Sequence, residues 1–220
     1  MKTVAIVVFP GVQSLDVSGP LDVFAEANRF LLPAQHYQLE LIGLTRGTVP
    51  CSNGMALVPQ RHYADVADPP DLLLVAGGPA LPGQREPDEA LAWLRAMCLR
   101  APRYGSICNG TFLLARAGLL QDATVTTHWN DAPVLAARYP ALRVEVDRLY
   151  VQDGRLHTSA GVTAGIDLAL YLLAQDVGQD VALNVAKRLV VFTQRAGGQS
   201  QFLSLIHISE PTRRPPTSYA

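Results

Sequence analysis

Cys108 stands in a sequence context that favours a reactive thiol. A strand-like stretch, residues 104–107, leads into it, and Asn109 and Gly110 then open an apolar helical segment. Small neighbours let the chain bend sharply between strand and helix, which holds the side chain out above the sheet, as in a nucleophile elbow. Free N–H groups at a helix N-terminus favour an anion, so we expect the thiol to be shifted toward thiolate. The alternative is a small buried core residue, the usual fate of free cysteines.

Two further side chains could exchange protons with this thiol. Asp16 lies in the segment SLDVSGPLDVF, where the predicted first strand opens into a loop at the ligand-binding edge of an α/β sheet. It could share a proton with the cysteine or act as a general acid or base; the alternative is a helix-entry cap or a salt-bridged loop acid. His128 ends the strand-like segment TVTTHW and could be the base of a Cys-His pair; the alternative is an ordinary hydrogen-bonded histidine.

A pair of glycines, Gly77 and Gly78, ends another buried strand-like run, LLLVAGG. Bare backbone there could offer N–H groups to an oxyanion. The pair is neither a Gly-x-Gly-x-x-Gly turn nor a phosphate-binding loop, so we predict no nucleotide cofactor. The three cysteines, Cys51, Cys98 and Cys108, lack zinc-ligand spacing and the density of a disulfide scaffold. We therefore predict no metal site and a reduced, cytoplasmic setting.

The elements that must position these residues alternate between short apolar runs and helical patterns, which is typical of β-α units. Residues 3–9, 39–45 and 71–77 are continuously apolar, as strands buried on both faces are. Helices are predicted to begin after Ser18 and to span about 87–99, 109–117, 162–173 and 179–194. Asp153-Gly154 predicts a hairpin. The fold class is therefore α/β: a single domain with a mostly parallel central sheet flanked by helices.

The composition limits the classes of function. The chain has 220 residues, is 49% hydrophobic and carries a formal net charge of −1, which suits one globular domain. A charge this close to zero gives no basic field to hold nucleic acid or an anionic membrane. No apolar run reaches the length of a membrane span, and the N-terminal run lacks a cleavage site. Small-molecule chemistry or sensing is the remaining expectation.

The C-terminal stretch has a different character. From Leu203 the chain reads LSLIHISEPTRRPPTSYA, with no hydrophobic period. Its first eleven residues resemble the translation of a transposase adapter used in preparing sequencing libraries. We therefore expect residues 203–220 to be a non-native, disordered tail and exclude them from functional reasoning. Without Glu210, Arg213 and Arg214 the 18 basic and 19 acidic residues become 16 and 18, a net charge of −2.

Taken in order, the motifs resemble the ThiJ/PfpI superfamily, with its class I glutamine amidotransferase-like, flavodoxin-like fold, over residues 3–175. LDVSGPLDVF, SICNGTFLLARAGLLQDATVTTHW and TSAGVTAGIDLALYLL look most like the N-terminal domain of GlxA-like AraC-type transcription regulators. The resemblance implies that Cys108 is the elbow cysteine, Asp16 the motif acid and His128 the nearby histidine, with oxyanion donors at Gly78 and at the turn after the cysteine. Asn109 stands where the peptidase branch has histidine, so an intact protease triad is not expected.

The resemblance also implies a function and a domain plan. VAKRLVVFTQRAGGQSQF is similar to the segment that leads toward a two-part helix-turn-helix domain in those regulators. We expect a domain over 1–198, the start of a linker at 199–202, and DNA binding only through a domain missing from this truncated chain. The implied activity is sensing of an unidentified small molecule by a homodimer. The alternative is a cysteine-dependent enzyme, similar to an isonitrile hydratase or to amide- and aldehyde-acting members. The implied site comprises Asp16, Gly77, Gly78, Cys108, Asn109 and His128.

Overall fold

The computed structural model describes residues 1–192 and 198–200. Its strands are β1 Lys2–Val8, β2 Tyr37–Gly43, β3 Val49–Pro50, β4 Ala56–Leu57, β5 Arg61–His62, β6 Leu72–Val75, β7 Arg103–Ser106, β8 Thr124–Val125, β9 Arg143–Val144, β10 Tyr150–Asp153 and β11 Leu156–Ser159. Its α-helices are α1 Ser14–Ala27, α2 Asp88–Arg100, α3 Thr111–Arg116, α4 Ala132–Arg138, α5 Ala164–Val177 and α6 Gln179–Leu189. Residues 203–220, the predicted tail, lie outside the described residues.

A seven-stranded sheet forms the centre of the molecule, in the order β10-β11-β7-β6-β1-β2-β5. All neighbouring strands are parallel except the β10-β11 hairpin, which turns at Gly154 and Arg155, one residue beyond the predicted Asp153-Gly154. Helices α1, α5 and α6 contact one another and α2 contacts α3, so helices flank the sheet in two groups. The predicted α/β class with a mostly parallel central sheet is therefore confirmed.

The parallel register brings the predicted site segments to one edge. Val7 on β1 is paired with Val75 on β6, which is paired with Ser106 on β7. Because the carboxyl ends of parallel strands share an edge, the residues that follow these strands meet there. Both β6 and most of β1 are buried, as their continuous apolar runs indicated. No helix within the described residues has the length and apolar character needed to cross a membrane.

Helix boundaries differ from the sequence prediction, most of all at the start of α1 and at the end of α6. Helix α1 begins at Ser14, and Pro20 lies inside it rather than in its first turn. Asp16 is therefore in the first turn of a helix and not in a loop. The earlier start is stabilised from outside the helix, because the Gln13 N–H donates to the Gly77 carbonyl at 2.8 Å. Helix α6 ends at Leu189, because the next residue, Val190, adopts a left-handed conformation with φ 56°.

Candidate functional site

Cys108 lies at a sharp turn between β7 and α3. It begins a 3₁₀ turn, Cys108–Gly110, and has a φ of 56°, which is unusual for a residue with a side chain. The turn fits closely against β6, because a Cβ on Gly110 would lie 2.3 Å from the Val75 carbonyl oxygen. Strain of this kind persists where the surrounding structure holds it, and it concentrates at functional sites.

The carboxyl of Asp16 lies beneath this turn and is fully buried. Its Oδ2 accepts a hydrogen bond from the Gly77 N–H at 2.9 Å, whereas its Oδ1 has no partner among the described residues. Burial raises the pKa of Asp16 to about 7, while the Gly77 N–H and the Cys108 thiol lower it. When Oδ1 carries a proton, this otherwise unpartnered oxygen can donate a hydrogen bond to the Cys108 sulfur. Asp16 is thus suited to hold and exchange a proton near neutral pH.

The pKa of the Cys108 thiol is raised, whereas its position at a helix N-terminus predicted a lowered pKa. Burial raises its pKa, and the negative charge of Asp16 raises it further. The backbone N–H groups of Asn109 and Val162 lower it, but by less. The expected shift toward thiolate is therefore wrong for the resting site, because desolvation outweighs the helix N-terminus. Asp16 and Cys108 together retain a proton at neutral pH.

The two glycine amides that could have stabilised an oxyanion are already engaged. The Gly77 N–H donates to Asp16, and the Gly78 N–H donates to Asn109 Oδ1 at 2.8 Å. The expectation that these amides face a reacting group is thus not met in this conformation. Their tight fit is the reason, since a Cβ on Gly77 would lie 2.6 Å from Asn109 Oδ1 and 2.9 Å from the Cys108 Cβ.

Asn109 holds two sides of the site together. Besides accepting from Gly78, its Nδ2 donates to the Gly78 carbonyl at 3.1 Å and to Asp131 Oδ2 at 2.9 Å. Asp131 immediately precedes α4 and was missed by the sequence analysis. The available signal was its position three residues after His128, in the same loop. Asn109 therefore acts as a bridge between the loop after β6 and the loop before α4.

His128 reaches the site but does not contact the thiol. It follows β8 by three residues, so it lies in a loop rather than at the end of the strand. Its Nδ1 accepts from the Asn130 N–H at 3.3 Å, which places the proton of the neutral ring on Nε2. Burial lowers the pKa of His128, although Asp131 opposes this. Within the described part of the chain no hydrogen bond joins His128 to Cys108, so no Cys-His pair is assembled.

Part of this site lines a cavity of about 260 Å³ at the carboxyl edge of the sheet, whereas Asp16 and Gly77 are not among the lining residues. Cys108, Asn109 and His128 line it, and Asp131 contributes its carboxylate. The full lining is Gln13, Gly78, Pro79, Cys108, Asn109, His128, Asn130, Asp131 and Val162. Among residues 1–192 and 198–200 no group of three or more His, Cys, Asp or Glu side chains could hold a metal ion. The cavity is suited to a small molecule with polar groups.

Alkylation by iodoacetamide should follow the raised pKa of Cys108. The thiolate is the nucleophile, so we expect the rate constant to rise by about tenfold per pH unit from pH 7 to 9. Cys98 is fully buried in the core and burial raises its pKa as well, so it should react far more slowly. Peptide mass spectrometry resolves the two sites. A rate that levels off below pH 8 would show an activated thiolate instead.

The sequence of this chain is similar to those of several known proteins. The model of the DJ-1/PfpI family matches residues 2–175. The isonitrile hydratase of Pseudomonas putida is 35% identical over 189 residues, which cover 84% of this chain and 77% of the hydratase. The transcriptional regulator CdhR of Pseudomonas aeruginosa is 33% identical over 183 residues, which cover 83% of this chain and 53% of the regulator. The chain thus spans about half the length of that regulator.

A solved structure shows the same fold. The crystal structure of an AraC family transcriptional regulator from Pseudomonas putida superposes with a TM-score of 0.71 at 24% sequence identity. The match covers 86% of this chain and 100% of that chain. At this identity the likeness concerns the arrangement of helices and strands.

Proposed function

The chain belongs to the DJ-1/PfpI family, and from this premise we propose that it is the small-molecule-sensing domain of an AraC-type transcriptional regulator. In this proposal residues 1–198 bind the ligand and residues 199–202 begin the connection to a DNA-binding domain. The similarity to CdhR supports it, because that protein is named as a transcriptional regulator and is 33% identical to this chain over 183 residues. Sensing requires a difference in ligand affinity between two conformations and no turnover.

One observation carries the proposal: the Gly78 N–H already donates its hydrogen bond to Asn109 Oδ1. An acyl-transfer site needs free donors at the position where an oxyanion develops. Here one loop amide is bonded to Asn109 and the other to Asp16, and burial keeps the Cys108 thiol protonated. The geometry therefore favours binding over acyl transfer. In the cavity Asn109, Asp131 and His128 would recognise polar groups of the ligand.

A second function is favoured by a different observation. Asp16, with a pKa raised to about 7, lies against the Cys108 thiol, so the pair can deliver a proton and a sulfur nucleophile together. That suits isonitrile hydration, the activity named for the relative from Pseudomonas putida. The sulfur would bond to the terminal isonitrile carbon while the shared proton passes to that carbon, giving a thioimidate. Water then adds there, the C–S bond breaks, and an N-substituted formamide leaves as the thiol regains its proton.

Incubation with a small alkyl isonitrile separates the two functions. NMR measures the formamide produced. Under the sensing proposal, the parent chain should produce no more formamide than Cys108→Ala does. A panel of polar metabolites should include a ligand that raises Tm. At 100 times its Kd, binding adds about 2.7 kcal/mol, or roughly 5 to 11 °C for a chain of this size. This increase should disappear in Asn109→Ala. Formamide production that depends on Cys108 would overturn the sensing proposal in favour of the hydratase.

The natural gene provides an independent test. Sequencing the parent gene through its 3′ end should show a reading frame that continues past Phe202 into a helix-turn-helix pattern. A natural stop codon close to Phe202 would exclude the regulator.

A further inference from the structure

Gln199 is buried in a place where a connecting segment would ordinarily be exposed. Only 4% of its surface is accessible. Its Oε1 accepts from the Trp129 N–H at 2.9 Å, and its Nε2 donates to the Val146 carbonyl at 2.7 Å and to the Thr127 carbonyl at 3.2 Å. One amide side chain therefore satisfies backbone groups of two separate loops, one of which carries His128.

The same loop is bonded directly to the elbow. The Thr127 hydroxyl donates to the Cys108 carbonyl at 2.9 Å, and both residues are buried. A continuous path of two hydrogen bonds thus runs from the backbone of the elbow cysteine, through Thr127, to Gln199. His128, the next residue of the loop, lines the site cavity. It also lines a second cavity of about 170 Å³, one wall of which is Gln199.

The backbone around Gln199 is fixed as closely as its side chain. The N–H of Gln199 donates to the Asp147 carbonyl at 2.8 Å, and the N–H of Ser200 donates to Asp147 Oδ1 at 2.6 Å. A Cβ on Gly198 would lie 2.2 Å from that Asp147 carbonyl oxygen. Only glycine permits this approach, so the seating of residues 198–200 depends on both Gly198 and Gln199.

We propose that Gln199 is a positioning residue of the site: it holds the Thr127–Trp129 loop, and with it the His128 wall of the cavity, against the segment 198–200. Without the amide, the Trp129 N–H and the Val146 carbonyl lose buried partners, and the loop moves to regain them from water. The inference deepens the proposed function, since a sensing domain needs a contact between its cavity and the chain that leaves it. It does not require the natural ligand to be known.

Gln199→Ala tests the role with iodoacetamide as the probe. We expect labelling of Cys108 to become about tenfold faster as its wall opens, and the fluorescence of Trp129 to change. Cys98 reports global opening from inside the core, and its labelling should stay within twofold of the original. Ser200→Ala is the matched control, because it keeps the Gln199 amide and the backbone N–H of residue 200 and removes an exposed hydroxyl that bonds to Asp147. Its Cys108 rate should equal that of the parent chain.

Gly198→Ala provides the second variant, because it unseats the segment without altering the amide. Hydrogen exchange at the Trp129 amide should accelerate by about tenfold in both variants. Unchanged Cys108 labelling together with unchanged exchange would overturn the positioning role. Equal acceleration at Cys98 would do so too, because it would reveal a general loss of stability. Either result leaves the ligand and isonitrile experiments unaffected, so failure here is distinguishable from failure of the sensing proposal.

Discussion

Asp16→Asn is expected to raise the free energy of unfolding at pH 8 by about 4 kcal/mol. The pKa of Asp16 rises from 3.8 to about 7 on folding, because the carboxyl loses its water. The folded state therefore binds a proton more tightly, and its stability is full below pH 3.8 and declines as pH rises toward 7. A shift of about three units corresponds to about 4 kcal/mol. Asparagine keeps an oxygen to accept the Gly77 N–H and never acquires the charge.

The pH dependence provides the sharper measurement. Urea unfolding between pH 4 and 8 should show the advantage of Asp16→Asn growing by about 1.4 kcal/mol per pH unit until pH 7. Asp22→Asn is the matched control, because Asp22 is exposed on the same helix, and it should follow the parent chain. A constant difference between Asp16→Asn and the parent across this range would show that the buried carboxyl does not take up a proton on folding.

A carboxyl that destabilises its own fold needs a reason to be present. An amide side chain would accept the Gly77 N–H at lower cost, and natural proteins tolerate such costs at sites of function. Asp16 lies between the Gly77 amide and the Cys108 thiol. Under the sensing proposal its proton would serve ligand binding, and under the hydratase alternative it would serve the addition to the isonitrile carbon. We expect Asp16→Asn to be more stable than the parent chain and to be unable to supply that proton.

The fold was largely predictable because burial on both faces leaves a strong pattern in the sequence. The apolar runs at 3–9 and 71–77 correspond to β1 and β6, and the parallel arrangement follows from the helices between them. The start of α1 was misplaced because Pro20 suggested a first turn. What stabilises the earlier start is the bond from Gln13 to Gly77, between residues 64 positions apart. Contacts over such a distance have no periodic signal.

The site, like the fold, was predictable where it depends on strand ends and unpredictable where it depends on single long-range hydrogen bonds. Cys108, Asp16 and the glycine pair could be predicted to meet because each follows, or lies near, the end of a parallel strand. The use of Gly78 by Asn109 could not, since it depends on which rotamer fills the space beside the turn. Asp131 and Gln199 were missed for a related reason. Each acts through one side-chain amide or carboxylate that bonds to a residue far along the chain, and no motif surrounds it.

Gly77→Ala is expected to lower the free energy of unfolding by about 3 kcal/mol and to dismantle the site. The new Cβ would lie 2.6 Å from Asn109 Oδ1, 2.7 Å from Asp16 Oδ2 and 2.9 Å from the Cys108 Cβ. All three side chains must move, so the hydrogen bonds from the Gly77 and Gly78 amides are lost or lengthened. Each buried donor left unsatisfied costs about 1 to 3 kcal/mol.

The variant also distinguishes steric crowding at position 77 from a requirement for glycine in the backbone conformation. Gly77 does not have a positive φ, so alanine suits its backbone and only the crowding opposes it. Gly83→Ala is the matched control, because the nearest atom to its Cβ would be the Ala80 carbonyl oxygen at 3.9 Å, and its stability should change by less than about 0.5 kcal/mol. Urea unfolding and the Cys108 labelling rate measure the two effects. Parent-like values of both in Gly77→Ala would mean that Asp16, Asn109 and Cys108 do not share the contact point from which the sensing proposal is built.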